Sequence, residues 1–366
     1  MPIFRDTMSR MYEIEAYTYE VVLPAMESIA RLTDPLPWPR YEFSDVQGPP
    51  PHTLVLVDMR PEGFAMADRS VFLDAAHCRL ALKQLARFHG AGLALKHLKP
   101  DHFEEIKKRL NLSIWDTAAM RENLKPYHSA MVQVPHVVRD KFPEGSDVHT
   151  RLKKLFGAFK EDSVALMGPL TGPGYTIIHN DLHVINMMYQ YDRVTNAVTD
   201  CRLIDFQMCV YGLPALDIVT ILLVCTDKPM RDLHWDNLLQ GYHQELLATL
   251  SAAGCSEPEK LFPWTLLQDQ LKIAAPYGLC VTPVYHFGLY SDAETVEELR
   301  QIMADNANSA TNGEQRKVTL KVTPALKTRL EGLVQDVADK GWLPTVEELE
   351  NRLAAYAQEK KSARVH

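Results

Sequence analysis

The sequence predicts an α+β protein in which a short helix-and-strand segment precedes a larger, mostly helical body. Two observations lead to this class. Near the N-terminus a helical pattern gives way to a proline-rich stretch and two short apolar strands, and further on a strand–turn–strand pattern lies among amphipathic helical patterns. The composition, 46% hydrophobic and 23% charged over 366 residues, is that of an ordinary globular protein.

The N-terminal segment is predicted to contain one helix and one hairpin. Helical spacing runs from about Met8 to Ile29, and the prolines of DPLPWPR cannot continue that helix. Strands are expected at Tyr41–Phe43 and Thr53–Val57, joined by the loop VQGPPPH. The second strand ends near Asp58, so we expect one domain over residues 1–58 and a second over 59–366.

The helical body is predicted from capping residues and apolar spacing. Asp74 caps a helix that runs to about Leu95, and Gly254 ends a later helix. The other predicted elements are pieces of helix within residues 100–165, a strand in TIIH, a strand pair at Asn186–Tyr191 and Val198–Asp205 joined by DRVTN, a helix from Thr323–Pro324 to Gly341, and a last helix with a capping box at Thr345 and Glu348.

Charge and cysteine content exclude several classes of protein. A net charge of −8 gives no general attraction to nucleic acid or to an anionic membrane. The longest apolar run, Ile218–Cys225, is far shorter than the roughly 20 residues of a membrane-spanning helix. The six cysteines include no C-x-x-C pair, which favours free thiols in a reducing compartment, and the first residues lack the apolar core of a signal peptide. We therefore expect a cytoplasmic protein without membrane insertion and without a nucleic-acid partner.

The most informative stretch is IIHNDLHVINMMY, followed by LIDFQ at the end of the next strand. Phosphoryl transfer needs one carboxylate to accept the proton of the attacking hydroxyl, and an amide oxygen with a second carboxylate to hold Mg²⁺ on the nucleotide phosphates. The H-x-D-x-x-x-x-N spacing supplies Asp181 and Asn186, and the strand hairpin returns Asp205 to the same edge. His179 is expected to be buried below this loop and to orient it.

The same residues allow two alternative interpretations. They can be ordinary polar loop residues, but their joint spacing and strand context argue against that. His179 and His183 also form an H-x-x-x-H pair. A zincin, however, needs Glu directly after the first His, on a helix, whereas Asn180 stands there at a strand-to-loop junction.

The segment HNDLHVINMMY, with the downstream LIDFQMCVYGLPALDI, resembles the CHK kinase-like (ecdysteroid kinase-like) family of the choline kinase and aminoglycoside phosphotransferase group. The resemblance implies a protein-kinase-like, two-lobe fold with a mostly helical C-lobe. It implies that Asp217, in PALDI, steadies the catalytic loop. YEIEAYTYEVVLP, TLVLVDM and LARFHG are similar to further segments of the family. By this match Glu15 lies on the N-lobe helix that faces the nucleotide, and the main chain of Val57, Asp58 and Met59 holds the adenine.

One part of the family pattern has no counterpart in this sequence. Kinase-like folds clamp the phosphates with a glycine-rich loop and a lysine that pairs with the helix Glu. Here the first lysine is Lys83, and only Gly48 and Gly63 precede it. We therefore expect a truncated N-lobe in which Glu15 has no matching lysine.

The resemblance implies an ATP- and Mg²⁺-dependent phosphotransferase whose acceptor is the alcohol of a small molecule, such as a steroid of the ecdysteroid type. The alternative is a catalytically impaired or truncated kinase-fold protein that binds a ligand or partner. A protein kinase is disfavoured, because PALDI follows IDFQ so closely that little room is left for an activation loop.

Overall fold

The computed structural model describes residues 2–31, 37–48, 51–110, 127, 131–290, 294, 297–298, 301–302, 305 and 321–363. The chain forms two compact units. The first comprises Phe4–Ile114 and Pro173–Gln268, and the second comprises Met1–Ile3, Trp115–Gly172 and Asp269–His366. The division near residue 58 that the sequence suggested remains a prediction.

The described helices carry most of the structure. They are α1 Pro2–Tyr17, α2 Leu23–Ala30, α3 Ala75–Leu98, α4 Pro100–Leu110, α5 Val134–Val137, α6 Asp147–Glu161, α7 Ala215–Val219, α8 Lys228–Ala253, α9 Pro258–Leu261, α10 Trp264–Leu289, α11 Pro324–Asp339 and α12 Val346–Ala363. Wider π turns follow α1 and α7, at Thr18–Val22 and Thr220–Val224. Apart from the π turns, α1 and α2 cover the helix expected over residues 8–29.

The described strands are short and form three small antiparallel sheets. They are β1 Tyr41–Asp45, β2 Thr53–Leu56, β3 Phe64–Met66, β4 Thr176–Ile178, β5 Met187–Tyr191, β6 Val198–Leu203 and β7 Val210–Gly212. β1 pairs with β2, β3 with β5 and β5 with β6, and β4 with β7. The expected β1–β2 hairpin is present, although residues 49–50 of its loop lie outside the described part of the chain. The α+β class predicted from the sequence is confirmed.

The sequence prediction of a single embedded strand pair was incomplete. The expected pair is present as β5 and β6, but β3 adds a third strand through the pairings Phe64↔Gln190 and Met66↔Met188. A further small sheet forms between β4 and β7. β3 and β7 each have only three residues, too few to show the alternation by which a strand is recognised in a sequence.

The first unit is organised around the contact between α3 and α8. Asp74 caps α3 as expected, since its Oδ1 accepts the N–H groups of Ala76 and His77 at 2.9 Å. Gly254 ends α8 with a left-handed φ of 97°. These two helices and the small sheets enclose a core to which Phe88, Phe206 and Tyr242 each contribute a fully buried ring.

The second unit also has the caps that the sequence predicts. Thr323 Oγ1 accepts the Leu326 N–H at the start of α11. Thr345 and Glu348 form the reciprocal capping box of α12, with hydrogen bonds of 2.8 and 3.1 Å.

Of the predicted helix pieces in residues 100–165, α4, α5 and α6 are described, whereas residues 111–126 and 128–130 lie outside the described residues.

Candidate active site

The loop that carries Asp181 and Asn186 connects β4 to β5. β4 ends at Ile178, and His179 follows with its side chain fully buried. His179 Nε2 lies 2.9 Å from the carbonyl oxygen of Ile204, which can only accept, so this nitrogen carries the hydrogen. Its ring therefore links the loop to the residue before Asp205, in the buried position that the sequence analysis expected.

The Asp217 side chain holds the first turn of this loop by accepting hydrogen bonds from the main chain of the loop. Its Oδ2 accepts the N–H of His179 at 2.8 Å, and its Oδ1 accepts the N–H of Asn180 at 2.7 Å. Asn180 has a left-handed φ of 65°. Two successive N–H groups thus converge on one fully buried carboxylate, an arrangement that suits a negative charge.

Asp181 and Asn186 are brought together within the loop. Asn186 Nδ2 donates to the carbonyl oxygen of Asp181 at 2.8 Å and approaches its Oδ2 at 3.4 Å. Since the amide nitrogen makes these contacts, the amide oxygen, which is the atom able to bind a cation, is left outside them. Asn186 is almost completely buried, so its position is fixed by the protein.

Asp205 lies next to this loop. Met187 pairs with Leu203, and the Ile204 N–H donates to the Asn186 carbonyl oxygen at 3.0 Å, so the start of β5 and the end of β6 lie side by side. Asp205 then adopts a left-handed φ of 66°, a conformation that Asp tolerates better than most residues. Burial, and then the negative charge of Asp181, raise the pKa of the Asp205 carboxyl above its usual range. The two carboxylates are therefore close enough to repel each other.

Glu15, on α1, lies against the Asp205 turn. It accepts a hydrogen bond from the main-chain N–H of Phe206, which lowers its pKa, but burial and the charge of Asp205 act more strongly and raise the pKa of Glu15 to about 7. Tyr19, one turn further along the helix, packs its ring edge-on against Phe206 at 5.4 Å. The structure thus brings four predicted site residues together: Asp181, Asn186, Asp205 and Glu15.

The predicted hinge continues the β1–β2 hairpin. Val57 N–H donates to the Arg40 carbonyl oxygen at 2.9 Å, and the Met59 carbonyl oxygen accepts from Glu62 and Phe64. The Asp58 side chain is exposed and forms a two-pronged ion pair with Arg60, which lowers the pKa of Asp58. Within the described residues, the Val57 carbonyl and the Met59 N–H enter no hydrogen bond, so these are the main-chain groups that a ligand could use.

His183 is a site residue that the sequence reasoning considered only as a zinc ligand. Its Nε2 lies 3.5 Å from Asp181 Oδ1, and burial lowers its pKa to about 4, so a neutral imidazole sits beside the Asp181 carboxylate. The signal for this position was present in the H-x-x-x-H spacing. Among the described residues, no group of three or more His, Cys, Asp or Glu side chains is arranged to bind a metal ion.

Comparisons with known proteins found a family profile and solved structures that match the chain. A sequence profile of the ecdysteroid kinase-like family matches residues 4–255. Among curated proteins, none matches the chain. Two solved structures, the GDP complexes of wild-type aminoglycoside 2'-phosphotransferase-IIIa and of a point mutant of it, share 16% and 15% sequence identity with the chain, each with a TM-score of 0.33. The alignments cover 84% and 85% of this chain, respectively, and 84% of each solved chain.

The family match spans more than half of the chain, and it includes the loop from His179 to Asn186, Asp205 and Asp217. The observed mixture of helices and small antiparallel sheets is the architecture that the sequence predicted. The chain belongs to the ecdysteroid kinase-like family and has an α+β, kinase-like fold.

Proposed function

We propose that the chain is a small-molecule kinase that transfers the γ-phosphoryl group of ATP to an alcohol. The observation that carries this proposal is the convergence of Asp181, Asn186 and Asp205, tied together by the hydrogen bond from Ile204 to Asn186. In this assignment Asp181 accepts the proton of the attacking hydroxyl. The surrounding main-chain hydrogen bonds hold its loop in place before any ligand binds.

The donor set suits Mg²⁺. Asn186 offers an amide oxygen and Asp205 a carboxylate, which are the hard oxygen ligands that this cation prefers. Two protein ligands suffice, because Mg²⁺ in phosphoryl-transfer sites completes its shell with phosphate oxygens and water. When bound, the cation would offset the negative charge that builds up on the transferring phosphoryl group. The raised pKa of Asp205 beside Asp181 is in keeping with a position that a cation would stabilise.

The nucleotide base would bind at the end of the β1–β2 hairpin. The Val57 carbonyl and the Met59 N–H offer one acceptor and one donor there, and the Asp58 side chain is turned to Arg60. Glu15 would face the phosphates, since it lies next to Asp205. These assignments retain the nucleotide contacts that the sequence resemblance suggested.

The acceptor class follows from the family rather than from a described pocket. An ecdysteroid, or another lipophilic alcohol, is the first class to test. A cytoplasmic location is in keeping with six buried cysteines that are all free thiols. Within the described residues, none of the helices has the length and apolar character that a membrane crossing requires.

A second candidate is a kinase-fold protein that binds a ligand without catalysis. One observation favours it: the described contacts of Glu15 are with Asp205 and the Phe206 N–H, whereas in kinase-like folds the helix Glu pairs with a phosphate-binding lysine. MgATP that binds but is never consumed in the presence of any alcohol would support this candidate.

Calorimetric titration with MgATP tests the proposal. Asp205→Ala should raise the Kd for MgATP about tenfold or more, since loss of a charged contact costs at least ~1.4 kcal/mol. The matched control is Asp232→Ala, which removes an exposed carboxylate on α8 and should leave the Kd unchanged. An equal rise of the Kd for MgATP in both variants, or no MgATP binding by the unmodified chain, would contradict the proposal.

A further inference from the structure

A chain of buried polar side chains lies beneath the candidate catalytic loop. Tyr242 is at the middle of α8, His89 is near the middle of α3, and Asp217 is in α7. His89 and Asp217 are fully inaccessible to solvent and Tyr242 is 1% exposed. His89 Nδ1 lies 2.8 Å from the Tyr242 hydroxyl, and its Nε2 lies 3.1 Å from Asp217 Oδ2.

For a neutral His89 ring, the two partners determine which nitrogen donates and which accepts. A carboxylate only accepts, so His89 Nε2 carries the hydrogen that faces Asp217. In a neutral imidazole Nδ1 is then an acceptor, and the Tyr242 hydroxyl donates to it. Burial, and then the charge of Asp217, hold the pKa of Tyr242 well above its usual value, so this hydroxyl keeps its proton. Both nitrogens of the His89 ring are thereby satisfied in the core.

Asp217 connects His89 to the candidate catalytic loop by hydrogen bonds. Its carboxylate accepts three hydrogen bonds: one from His89, one from the His179 N–H and one from the Asn180 N–H. The first of these fixes the rotation of the carboxylate, and the other two hold the main chain immediately before Asp181. Substitution of a side chain that orients a ligating or anchoring carboxylate in this way commonly changes activity, although the side chain does not touch the substrate.

Helices α3 and α8, which carry His89 and Tyr242, approach each other closely beside these two residues. A Cβ atom on Gly90, next to His89, would lie 2.8 Å from Thr249 Cβ and 3.2 Å from the Leu246 carbonyl oxygen. Only glycine allows this separation, which brings His89 within hydrogen-bond distance of Tyr242 on the neighbouring helix.

We propose that His89 and Tyr242 are positioning residues of the candidate kinase site, which set the Asp217 carboxylate and through it the main chain that presents Asp181. The inference deepens the proposed function and rests on it for the role of Asp181. The hydrogen-bonded relay itself, however, can be measured without phosphoryl transfer.

Amide hydrogen exchange at His179 and Asn180 is the direct test. Tyr242→Phe leaves His89 Nδ1 without a donor, and we expect exchange at these two amides to become about five- to tenfold faster. The matched control is Tyr189→Phe, which removes a hydroxyl that is equally buried but contacts the Met187 sulfur. Unchanged exchange in Tyr242→Phe, or equal acceleration in the control, would overturn the proposal.

Substitutions at His89 give a second, independent measurement. His89→Gln keeps an N–H donor for Asp217, whereas His89→Leu removes it, so the exchange of the two loop amides should be faster in His89→Leu than in His89→Gln. In a phosphoryl-transfer assay, Tyr242→Phe should lower kcat and leave the Kd for MgATP unchanged. Accelerated exchange in Tyr242→Phe together with a chain that transfers no phosphoryl group would refute the proposed function while supporting the relay. A Kd that rises as much as kcat falls would refute the positioning role.

Discussion

The loop side and the hinge side of the candidate site are built in different ways. On the loop side, Asp217 is buried and each of its oxygens accepts main-chain hydrogen bonds. On the hinge side, Asp58 is exposed and pairs with Arg60, and the Val57 carbonyl and the Met59 N–H have no hydrogen-bond partner among the described residues. The protein therefore fixes the geometry of the candidate catalytic loop by itself, whereas the main-chain groups proposed to contact the nucleotide are left for a ligand to complete.

The largest effect should follow from a change to the buried carboxylate. Asp217→Asn exchanges one acceptor oxygen for an N–H group that faces other donors. We expect the free energy of unfolding to fall by about 2–4 kcal/mol, because the lost hydrogen bonds are buried and charge-assisted. Urea denaturation measures this. A fall no larger than that produced by Asp232→Asn, at the exposed surface, would show that the loop side is not anchored as described.

A smaller loss is expected where α3 meets α8. Gly90→Ala places a methyl group against Thr249 and should lower the free energy of unfolding by about 1–3 kcal/mol. The matched control is Gly241→Ala on α8, where a Cβ meets nothing within 4 Å. In this control variant, the free energy of unfolding, measured by thermal denaturation, should rise by about 0.5–1 kcal/mol because alanine has a higher helix propensity than glycine. A gain in both variants would mean that the two helices can separate without cost.

The smallest effects should be found at side chains of the hinge. Asp58→Ala removes an exposed ion pair and an exposed acceptor of the Arg60 N–H, so the melting temperature should change little and the Kd for MgATP should stay unchanged. Met59→Pro removes the main-chain donor, and it should weaken MgATP binding more than Met59→Ala does. Equal binding by the two Met59 variants would exclude a main-chain contact at this residue.

Only part of the fold and of the candidate site could be predicted from the sequence. The loop was predictable because Asp181, Asn186 and Asp205 stand at fixed spacings beside short apolar strands, and PALDI pointed to Asp217. The contacts of Glu15 and of His89 were not predictable, since each depends on how α1 or α3 packs against residues more than a hundred positions away. Strand β3 was missed because three residues carry no detectable period.

The proposed function is the transfer of a phosphoryl group to an alcohol by this chain, with Asp181 as the base. Its most direct test is the incorporation of label from γ-³²P-ATP into a panel of steroid and other lipophilic alcohols, with and without Mg²⁺, by the unmodified chain and by Asp181→Asn. The proposed function predicts Mg²⁺-dependent labelling of at least one alcohol by the unmodified chain. It also predicts a loss of labelling of about a hundredfold or more in Asp181→Asn, which still binds MgATP. Labelling that persists in Asp181→Asn, or that never occurs across the panel although MgATP binds, would contradict it.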